Sequence, residues 1–259
     1  MQNNFKVDQL SIYIYKDKYQ LGKAAADKAE KYISNAIRER GKAVIILATG
    51  ASQFEFLDSL TKRNLNWNKV VAFHLDEYVG ISDTHPASFR LYLRERIIEK
   101  VGIGTYYLIE GDNQDVEQEC KRLDEIFSQY TVDVAFVGIG ENGHLAFNEP
   151  PASFDDKQSY RIIELDVKSR RQQMGEGWFN KLDEVPEKAI TMTIPAIMKS
   201  KAIICTVPDA RKAEAVKKTL SNDVSPEFPA SILRQHPDTS LFLDIDSASL
   251  LDDLLPGTF

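Results

Sequence analysis

Apolar residues along the chain follow two alternating patterns, and the first is a series of short, nearly continuous runs. An apolar run of roughly four to eight residues is too short for a buried helix and too continuous for a half-exposed strand. Such a run is typical of a strand that is buried on both faces of a parallel sheet. The runs of this kind are AVIILA (43–48), VVAFHL (70–75), VDVAFVGIG (132–140), AIICTV (202–207) and SLFLDI (240–245).

The second pattern is a helical spacing of apolar residues between these runs. In residues 16–40, Leu21, Ala25 and Ala29 recur on one helix face, and Gly41 is expected to end this helix. Further helices are predicted up to about residue 63, over 85–101, over 115–129 and over RKAEAVKKTL (211–220). Strands that alternate with helices predict right-handed β-α-β units. The expected fold class is therefore α/β: a doubly wound, mainly parallel sheet with helices on both faces (Rossmann-like), in a single domain over residues 1–259.

Composition and charge argue against several classes of protein. The chain has 259 residues, 43% of them hydrophobic, and a formal net charge of −7 with both signs well mixed. A nucleic-acid-binding surface needs a concentrated basic patch, so no nucleic acid is expected as a partner. Cys120 and Cys205 form no CxxC pair, so we expect two small buried hydrophobes. No apolar stretch approaches ~18 residues and no signal-peptide pattern begins the chain, so we expect no membrane partner and a cytoplasmic location.

Polar and small residues follow four of the predicted strands. These segments are TGAS (49–52), DEY (76–78), GENGH (140–144) and PDARK (208–212). In an open parallel sheet, ligands bind outside the carboxyl ends of the strands. We therefore expect the four segments to face one crevice.

The first and last of these segments suit an anion. Small residues and the hydroxyls of Thr49 and Ser52 precede a helix, whose N-terminal N–H groups can hold a phosphate. The alternative is an ordinary strand–helix turn capped by Ser52. Lys212 lies in the first turn of another helix, where a cation opposes the helix dipole unless an anion compensates. A solvated helix face is the alternative for Lys212.

The two middle segments suit proton transfer. Asp76 and Glu77 end a strand, where a partly desolvated carboxylate can shuttle a proton; the alternative is an acid that caps the next helix. His144 follows three closely spaced glycines, and Glu149 is near enough in the chain to orient its ring. No serine or cysteine nucleophile adjoins His144, and one histidine with one glutamate is too small a set for a metal site.

The other three histidines are interpreted as structural. His74 lies inside a predicted strand, and His85 and His236 each precede a proline.

Taken in order, LATGAS, FHLDEYVG with HPASF, GIGENGHLAFNEP and RKAEAV resemble the glucosamine-6-phosphate deaminase/isomerase family. The resemblance extends from about residue 20 to residue 246, and NGHLAFNEP is its most specific part. The sister family of 6-phosphogluconolactonases shares the fold and a GxGxDGHxA core. It does not have the NEP ending or the DEY segment in this form.

The resemblance implies an aldose–ketose isomerisation coupled to deamination, in which glucosamine 6-phosphate and water give fructose 6-phosphate and ammonia. It implies no cofactor and no metal. Asp76 would move a proton from C2 to C1. His144 would open the sugar ring, and Glu149 would orient the His144 side chain. Asn142 replaces the aspartate that many members have there, so a neutral hydrogen-bonding role is expected for it.

A sugar phosphate is the partner that the resemblance implies. The expected binding residues are Thr49, Gly50, Ala51, Ser52, Gly138, Ala146, Arg170 and Lys212. Some members place a phosphate-binding arginine before an aromatic pair, and this chain has Gly177 at that position of the motif EGWF. Arg170 is the expected substitute. The segment near 155–185 is expected to form a lid.

Two alternative functions remain at this stage. A lactonase would share the histidine without needing Asp76. A non-catalytic sugar-phosphate sensor would need none of the proton-transfer residues, although all of them are present. The oligomeric state and the epimer of the substrate stay open, with a homo-oligomer among the options. The short C-terminal segment LLDDLLPGTF predicts no activation by an acetylated sugar phosphate.

Overall fold

The computed structural model describes residues 3–165, 167–175 and 177–254. The strands in this part of the chain are β1 (Asn3–Val7), β2 (Leu10–Tyr15), β3 (Ala43–Leu47), β4 (Val70–His74), β5 (Asp76–Tyr78), β6 (Thr105–Tyr107), β7 (Val134–Val137), β8 (Tyr160–Glu164), β9 (Lys188–Met192), β10 (Ile203–Val207) and β11 (Thr239–Asp244). The α-helices are α1 (Lys18–Arg40), α2 (Phe54–Leu60), α3 (Phe89–Leu93), α4 (Glu99–Val101), α5 (Val116–Phe127), α6 (Val167–Gly175), α7 (Ile194–Met198) and α8 (Ala213–Ser221).

The larger sheet has the strand order β1-β2-β11-β10-β7-β3-β4-β6. Every neighbouring pair in it is parallel except β1 and β2. All five strands predicted from continuous apolar runs lie inside this sheet, which confirms the doubly wound, mainly parallel α/β fold. Their continuous apolar character follows from burial on both faces.

Helices cover both faces of the sheet, as the alternating pattern predicted. Along β3, Val44 and Ile46 face a core that contains residues of α5 and α8. The intervening Ile45 and Leu47 face a second core, built largely from α1 and α2. Successive side chains of a strand point to opposite faces, so one five-residue strand contributes to both cores.

A smaller antiparallel sheet, in the order β5-β9-β8, was not predicted from the sequence. The three-residue β5 is too short to show an apolar period, and β8 is only partly buried. Its pairing matters for function, because Asp76 on β5 lies opposite Thr191 on β9. The hairpin of β1 and β2 and the short β6 were also missed, and β2 differs from the predicted strands in that buried and half-buried residues alternate along it.

Helix ends agree with local sequence signals in most places. The Asp17 side chain accepts a hydrogen bond from the Gln20 N–H at 2.8 Å and caps the start of α1. Gly41 adopts φ of 76° and ends α1, as predicted. The helix expected over 85–101 begins only at Phe89, where Ser88 is the N-cap, and it continues through a π-helical turn (Arg94–Ile98) into α4.

The structural interpretations of the cysteines and of two histidines are confirmed. Cys120 and Cys205 are buried free thiols. His236 is buried and its Nε2 lies 2.8 Å from the Ser200 carbonyl oxygen, while Nδ1 of His85 accepts the Ala87 N–H at 3.1 Å within a turn.

No helix within the described ranges is both long and apolar enough to cross a membrane.

Gly22 allows α1 and α2 to pack unusually closely. A Cβ atom at this position would lie 2.6 Å from the Glu55 carbonyl carbon and 2.8 Å from the Glu55 Cβ. Both distances are far below van der Waals contact, and the obstructing atoms include backbone, which cannot move aside easily. The absence of a side chain at Gly22 therefore sets the distance between the second turn of α1 and the first turn of α2.

We predict that Gly22→Ala lowers the free energy of unfolding by about 1–3 kcal/mol, because the added methyl group must push α1 away from α2. Denaturant unfolding followed by circular dichroism measures this change. The matched control is Gly175→Ala at the end of α6, where a Cβ would meet no heavy atom within 4 Å. Equal stability changes in the two variants would contradict the packing argument.

Candidate active site

One cavity of about 290 Å³ lies at the carboxyl ends of the parallel strands. Its walls come from the segments that follow β3, β4, β7 and β10, so the four polar segments do face one crevice, as expected. The predicted site residues that line it are Thr49, Gly50, Ala51, Ser52, Asp76, Gly138, His144, Ala146 and Lys212. Their individual roles remain predictions.

Asn142 and Glu149 lie behind His144 and are not part of the cavity wall. His144 Nδ1 is 3.1 Å from Glu149 Oε1, in a close contact that is not a linear hydrogen bond. The Asn142 side-chain amide donates to the second carboxylate oxygen of Glu149. The Asn142 side-chain oxygen accepts the backbone N–H of His144 at 3.2 Å. Asn142 thus acts as a neutral bridge between the two, the hydrogen-bonding role that was expected for it.

The position of the imidazole depends on Gly140. A Cβ atom at Gly140 would overlap the His144 ring, so only glycine leaves room for the ring over this backbone. The loop is closed by a hydrogen bond of 3.0 Å from the Gly140 N–H to the His144 carbonyl oxygen. The chain then turns through Ala146, which has φ of 54°.

The loop is anchored to the smaller sheet at its far end. The buried Asn148 donates to the Met192 carbonyl oxygen at 2.8 Å, and the Phe147 N–H donates to Thr191 Oγ1 at 3.1 Å. The small sheet therefore holds both the histidine loop and, through β5, Asp76.

Glu149 has an environment that keeps it ionised. Burial alone would raise its pKa, but contacts with the His144 ring, the Asn142 amide and the Ser169 side chain together lower the pKa below its ordinary value. The carboxylate is therefore negative at neutral pH and can stabilise positive charge that develops on His144.

The neighbouring carboxylates Asp76 and Glu77 have different tasks. Asp76 faces the cavity with 6% of its surface exposed. Glu77 points the opposite way and is fully buried. It accepts hydrogen bonds from the Ser88 hydroxyl and from the N–H groups of Phe89 and Arg90. The helix-capping alternative is therefore correct for Glu77, because successive residues of a strand face opposite sides.

The turn after β3 differs in detail from a serine-capped helix. Residues Ala51–Gln53 form a 3₁₀ turn whose N-cap is Gly50, at φ of 92°, without a side-chain cap. The capping alternative for Ser52 is thus wrong. The Gly50 carbonyl oxygen accepts from the Tyr92 hydroxyl at 2.9 Å and from the Gln53 N–H at 3.1 Å, which fixes the turn.

Gln53 joins this turn to the neighbouring strands. Its buried amide donates to Ser52 Oγ at 3.0 Å and to Thr206 Oγ1 at 2.9 Å, on β10. Gly138, at the end of β7, lies so close that a Cβ there would be 2.8 Å from Ser52 Oγ. The candidate phosphate cradle is therefore tied to β7 and β10, which lie on one side of β3 in the sheet.

The segment after β10 brings cations to the same end of the cavity. Asp209 adopts φ of 87° and its N–H donates to both Asp244 carboxylate oxygens, at 3.2 and 3.1 Å. The next turn contains Arg211 and Lys212, both of which line the cavity. Asp244 thereby fixes the backbone turn from which the two cations extend.

Arg170 does not line the cavity. Its guanidinium donates to the carbonyl oxygens of Val185 at 3.0 Å and Leu182 at 2.8 Å, and it lies 3.5 Å from the Glu187 carboxylate. The structure therefore does not bring Arg170 together with the other expected phosphate ligands. Its contacts attach α6 to the segment that precedes β9.

Several lining residues were missed by the sequence reasoning. They include Lys18, Glu55, Phe89 and Gln173. Gln173 is buried on α6, and its Oε1 accepts the Tyr78 hydroxyl at 2.7 Å. Phe89 is the last residue of the segment HPASF (85–89), but no motif marks Lys18, Glu55 and Gln173, because they reach the cavity from helices that only the tertiary fold places beside it.

Comparison with known proteins links the chain to one family. Residues 16–242 match the model of a family described as glucosamine-6-phosphate isomerases/6-phosphogluconolactonase. A glucosamine-6-phosphate deaminase from Clostridium acetobutylicum is 36% identical over 230 residues, covering 86% of this chain and 94% of the relative. A glucosamine-6-phosphate deaminase from Lactobacillus delbrueckii subsp. bulgaricus is 33% identical, covering 93% of this chain and all of the relative (100%).

Solved structures agree with this assignment. A monomeric glucosamine-6-phosphate deaminase has a TM-score of 0.84 at 32% identity, covering 92% of this chain and 99% of the other. A 6-phosphogluconolactonase from Shewanella baltica OS155 has a TM-score of 0.76 at 17% identity, covering 93% of this chain and 100% of the other. The second likeness is one of fold.

The burial of His74, two residues before Asp76 in the chain, predicts a pH dependence of stability. Its complete burial, with a smaller effect of Arg90, lowers its pKa from 6.5 to about 3. Between these values the unfolded chain binds a proton that the folded protein does not, so stability falls as pH drops below 6.5. The expected loss from this group is roughly 1.4 kcal/mol per pH unit. His74→Leu should remove this slope between about pH 6 and pH 5, in denaturant unfolding at each pH.

The control for His74 is the same substitution at the exposed His85. His85→Leu should leave the wild-type slope in place. A wild-type slope that survives in His74→Leu would show that other groups cause the acid sensitivity.

Proposed function

The chain belongs to the glucosamine-6-phosphate isomerase/6-phosphogluconolactonase family, and on this premise we propose that it is a glucosamine-6-phosphate deaminase. It would convert glucosamine 6-phosphate and water into fructose 6-phosphate and ammonia. The observation that supports this most directly is one cavity lined by Asp76, by His144 and by a small-residue turn with Lys212. Relatives named deaminases at 33–36% identity favour this activity over that of a lactonase.

The phosphate anchors the substrate at one end of the cavity. Thr49, Gly50, Ala51 and Ser52 provide amides and hydroxyls at the start of a 3₁₀ turn, and Lys212 provides a cation opposite them. Binding energy from the phosphate, which does not react, can then be used to position the reacting carbons.

Ring opening is the first chemical step. His144 removes the proton from the O1 hydroxyl and returns a proton to the ring oxygen as the C1–O5 bond breaks, which leaves an open-chain aldehyde. The imidazole is positively charged between these transfers, and the ionised Glu149, 3.1 Å away, stabilises that charge. Asn142 donates to the Glu149 carboxylate and accepts the backbone N–H of His144, so it fixes the carboxylate relative to the backbone that bears the imidazole.

Isomerisation and deamination follow. Asp76 removes the C2 proton, and the electron pair forms a C1–C2 double bond while O1 gains the proton that the C2 ammonium group releases. Asp76 then delivers the proton to C1, which leaves a protonated imine at C2. Water adds to this carbon, and ammonia leaves to give the ketose. The partly enclosed position of Asp76, 6% exposed, is consistent with a base that must keep its proton between two carbons.

The segment around α6 is the proposed lid of the cavity, near the expected range 155–185. Gln173 on α6 lines the cavity. Phe179 packs edge-on against Tyr78 with ring centroids 5.5 Å apart. Asp166 and Glu176, the latter part of the motif EGWF, lie outside the described residues. The lid and the cavity would belong to a single domain whose partner is a small sugar phosphate.

The proposal predicts that the purified protein releases ammonia from glucosamine 6-phosphate, without added metal, and forms fructose 6-phosphate in equal amount. Ammonia is measured by a coupled assay, and glucosamine without phosphate is the control substrate. The galacto epimer is tested in parallel, because the sequence leaves the epimer open. Absence of ammonia release with both phosphorylated epimers would disprove the deaminase proposal.

We also predict that Asp76→Asn abolishes exchange of solvent deuterium into C1 and lowers kcat by about 10²–10⁴-fold, because asparagine cannot accept the C2 proton. Affinity for fructose 6-phosphate should stay close to that of the wild type, since the anion anchor is intact. Nuclear magnetic resonance in deuterated water measures the exchange. The control is Asp58→Asn on the exposed face of α2, where the same chemical change should have no effect. Exchange that persists in Asp76→Asn would exclude this residue as the carbon base.

A further inference from the structure

The phosphate end of the cavity has more charges than the sequence motifs indicated. Beside the 49–52 turn, the lining residues of the described chain include three cations, Lys18, Arg211 and Lys212, and two carboxylates, Glu55 and Asp209. Arg211 and Lys212 alone would only balance the two carboxylates. With Lys18 included, this end has one net positive charge, which favours the binding of a phosphate dianion.

Lys18 reaches this position through helix packing. It is the first residue of α1, and Gly22 lies one turn further along the same helix face. Gly22 packs directly against the backbone of Glu55 in the first turn of α2. The close approach of the two helices therefore brings the Lys18 side chain to the mouth of the cavity.

Glu55 holds the Lys18 ammonium group. The Lys18 Nζ atom is 2.7 Å from Glu55 Oε1, and the Glu55 side chain is only 13% exposed. The hydrogen bond and charge of Glu55 raise the pKa of Lys18 above its ordinary value, so the group is a cation at neutral pH. The Lys18 side chain is 49% exposed and has a flexible stem, so it can turn towards an anion without a change in the backbone.

Arg170, which the sequence led us to expect at this end of the cavity, is engaged elsewhere. Arg170 donates to carbonyl oxygens of the segment before β9 and is absent from the cavity wall. Gly177, where the resemblance led us to look for an arginine, supplies no charge. Arg211 is 3.5 Å from Asp209 and 3.8 Å from Glu141, so part of its charge is offset locally.

We propose that Lys18 is a ligand of the substrate's phosphate group and supplies positive charge at the end of the cavity that Arg170 does not reach. Glu55 is its positioning residue, which keeps the ammonium group at the cavity mouth until the anion binds. The identity of the anion as a sugar phosphate rests on the deaminase proposal. The binding of a phosphate group beside Lys18 does not depend on the deaminase proposal.

The test compares Lys18→Met with the wild type in equilibrium binding of two probes, inorganic phosphate and fructose 6-phosphate without ammonia, by isothermal titration calorimetry. Methionine keeps the length of the side chain and removes its charge. We expect about tenfold weaker binding of both probes, the low end for a charge-assisted hydrogen bond because Lys18 is half exposed. The difference should shrink in about 0.5 M salt, which screens an exposed charge.

The matched control is Lys23→Met, on the same helix but outside the cavity wall, which should bind both probes as the wild type does. In steady-state assays, Lys18→Met should raise KM for glucosamine 6-phosphate by the same factor and leave kcat within about twofold, since the 49–52 turn and Lys212 still anchor the phosphate and position the reacting carbons. Thermal unfolding of both variants checks that the fold is retained.

Three results would overturn the role of Lys18: unchanged phosphate affinity in Lys18→Met, an equal loss of affinity in Lys23→Met, or no phosphate binding by the wild type. Phosphate binding that depends on Lys18 in a protein that releases no ammonia would leave the Lys18 proposal standing and remove the deaminase proposal. The two conclusions are therefore tested separately.

Discussion

The arrangement of the site depends on the contacts of the Glu149 carboxylate. One oxygen lies beside the His144 ring, and the other accepts the Asn142 amide. The Ser169 side chain, on α6, forms a further hydrogen bond with it. A partly buried negative charge is stable only when such groups surround it. The need to compensate Glu149 therefore joins the histidine loop and the proposed lid into one unit.

The smaller antiparallel sheet gives this unit its second support. β5 places Asp76 in the cavity wall and turns Glu77 the other way, into the start of α3. β9 holds the histidine loop through hydrogen bonds that Thr191 and Met192 accept. The two proposed proton-transfer groups are thus held by one three-stranded sheet. A displacement of that sheet would change the distance between both groups and the proposed phosphate anchor, and catalysis by positioning is sensitive to such distances.

The phosphate end of the cavity is organised by backbone geometry and by charge balance. The Gly50 turn is fixed by Tyr92 and Gln53, and the turn that bears Lys212 is fixed by Asp244. Carboxylates lie among the cations, so the site is only weakly positive before a ligand binds. This balance would let a protein of net charge −7 hold the proposed anionic substrate without a large basic surface.

The sequence by itself determined the parallel sheet, the helices on both faces and the convergence of four strand ends on one crevice. Continuous apolar runs report burial on two faces, and the carboxyl ends of parallel strands must share one edge. The motif around His144 also indicated its partner, because Glu149 is close in the chain. The tertiary structure alone decided that Asp76 faces the cavity while Glu77 caps α3, that Arg170 binds carbonyl oxygens away from the site, and that Lys18 lines the cavity. Those outcomes depend on contacts between residues far apart in the chain, such as Gly22 against Glu55, and the periodicity of a local segment contains no information about them.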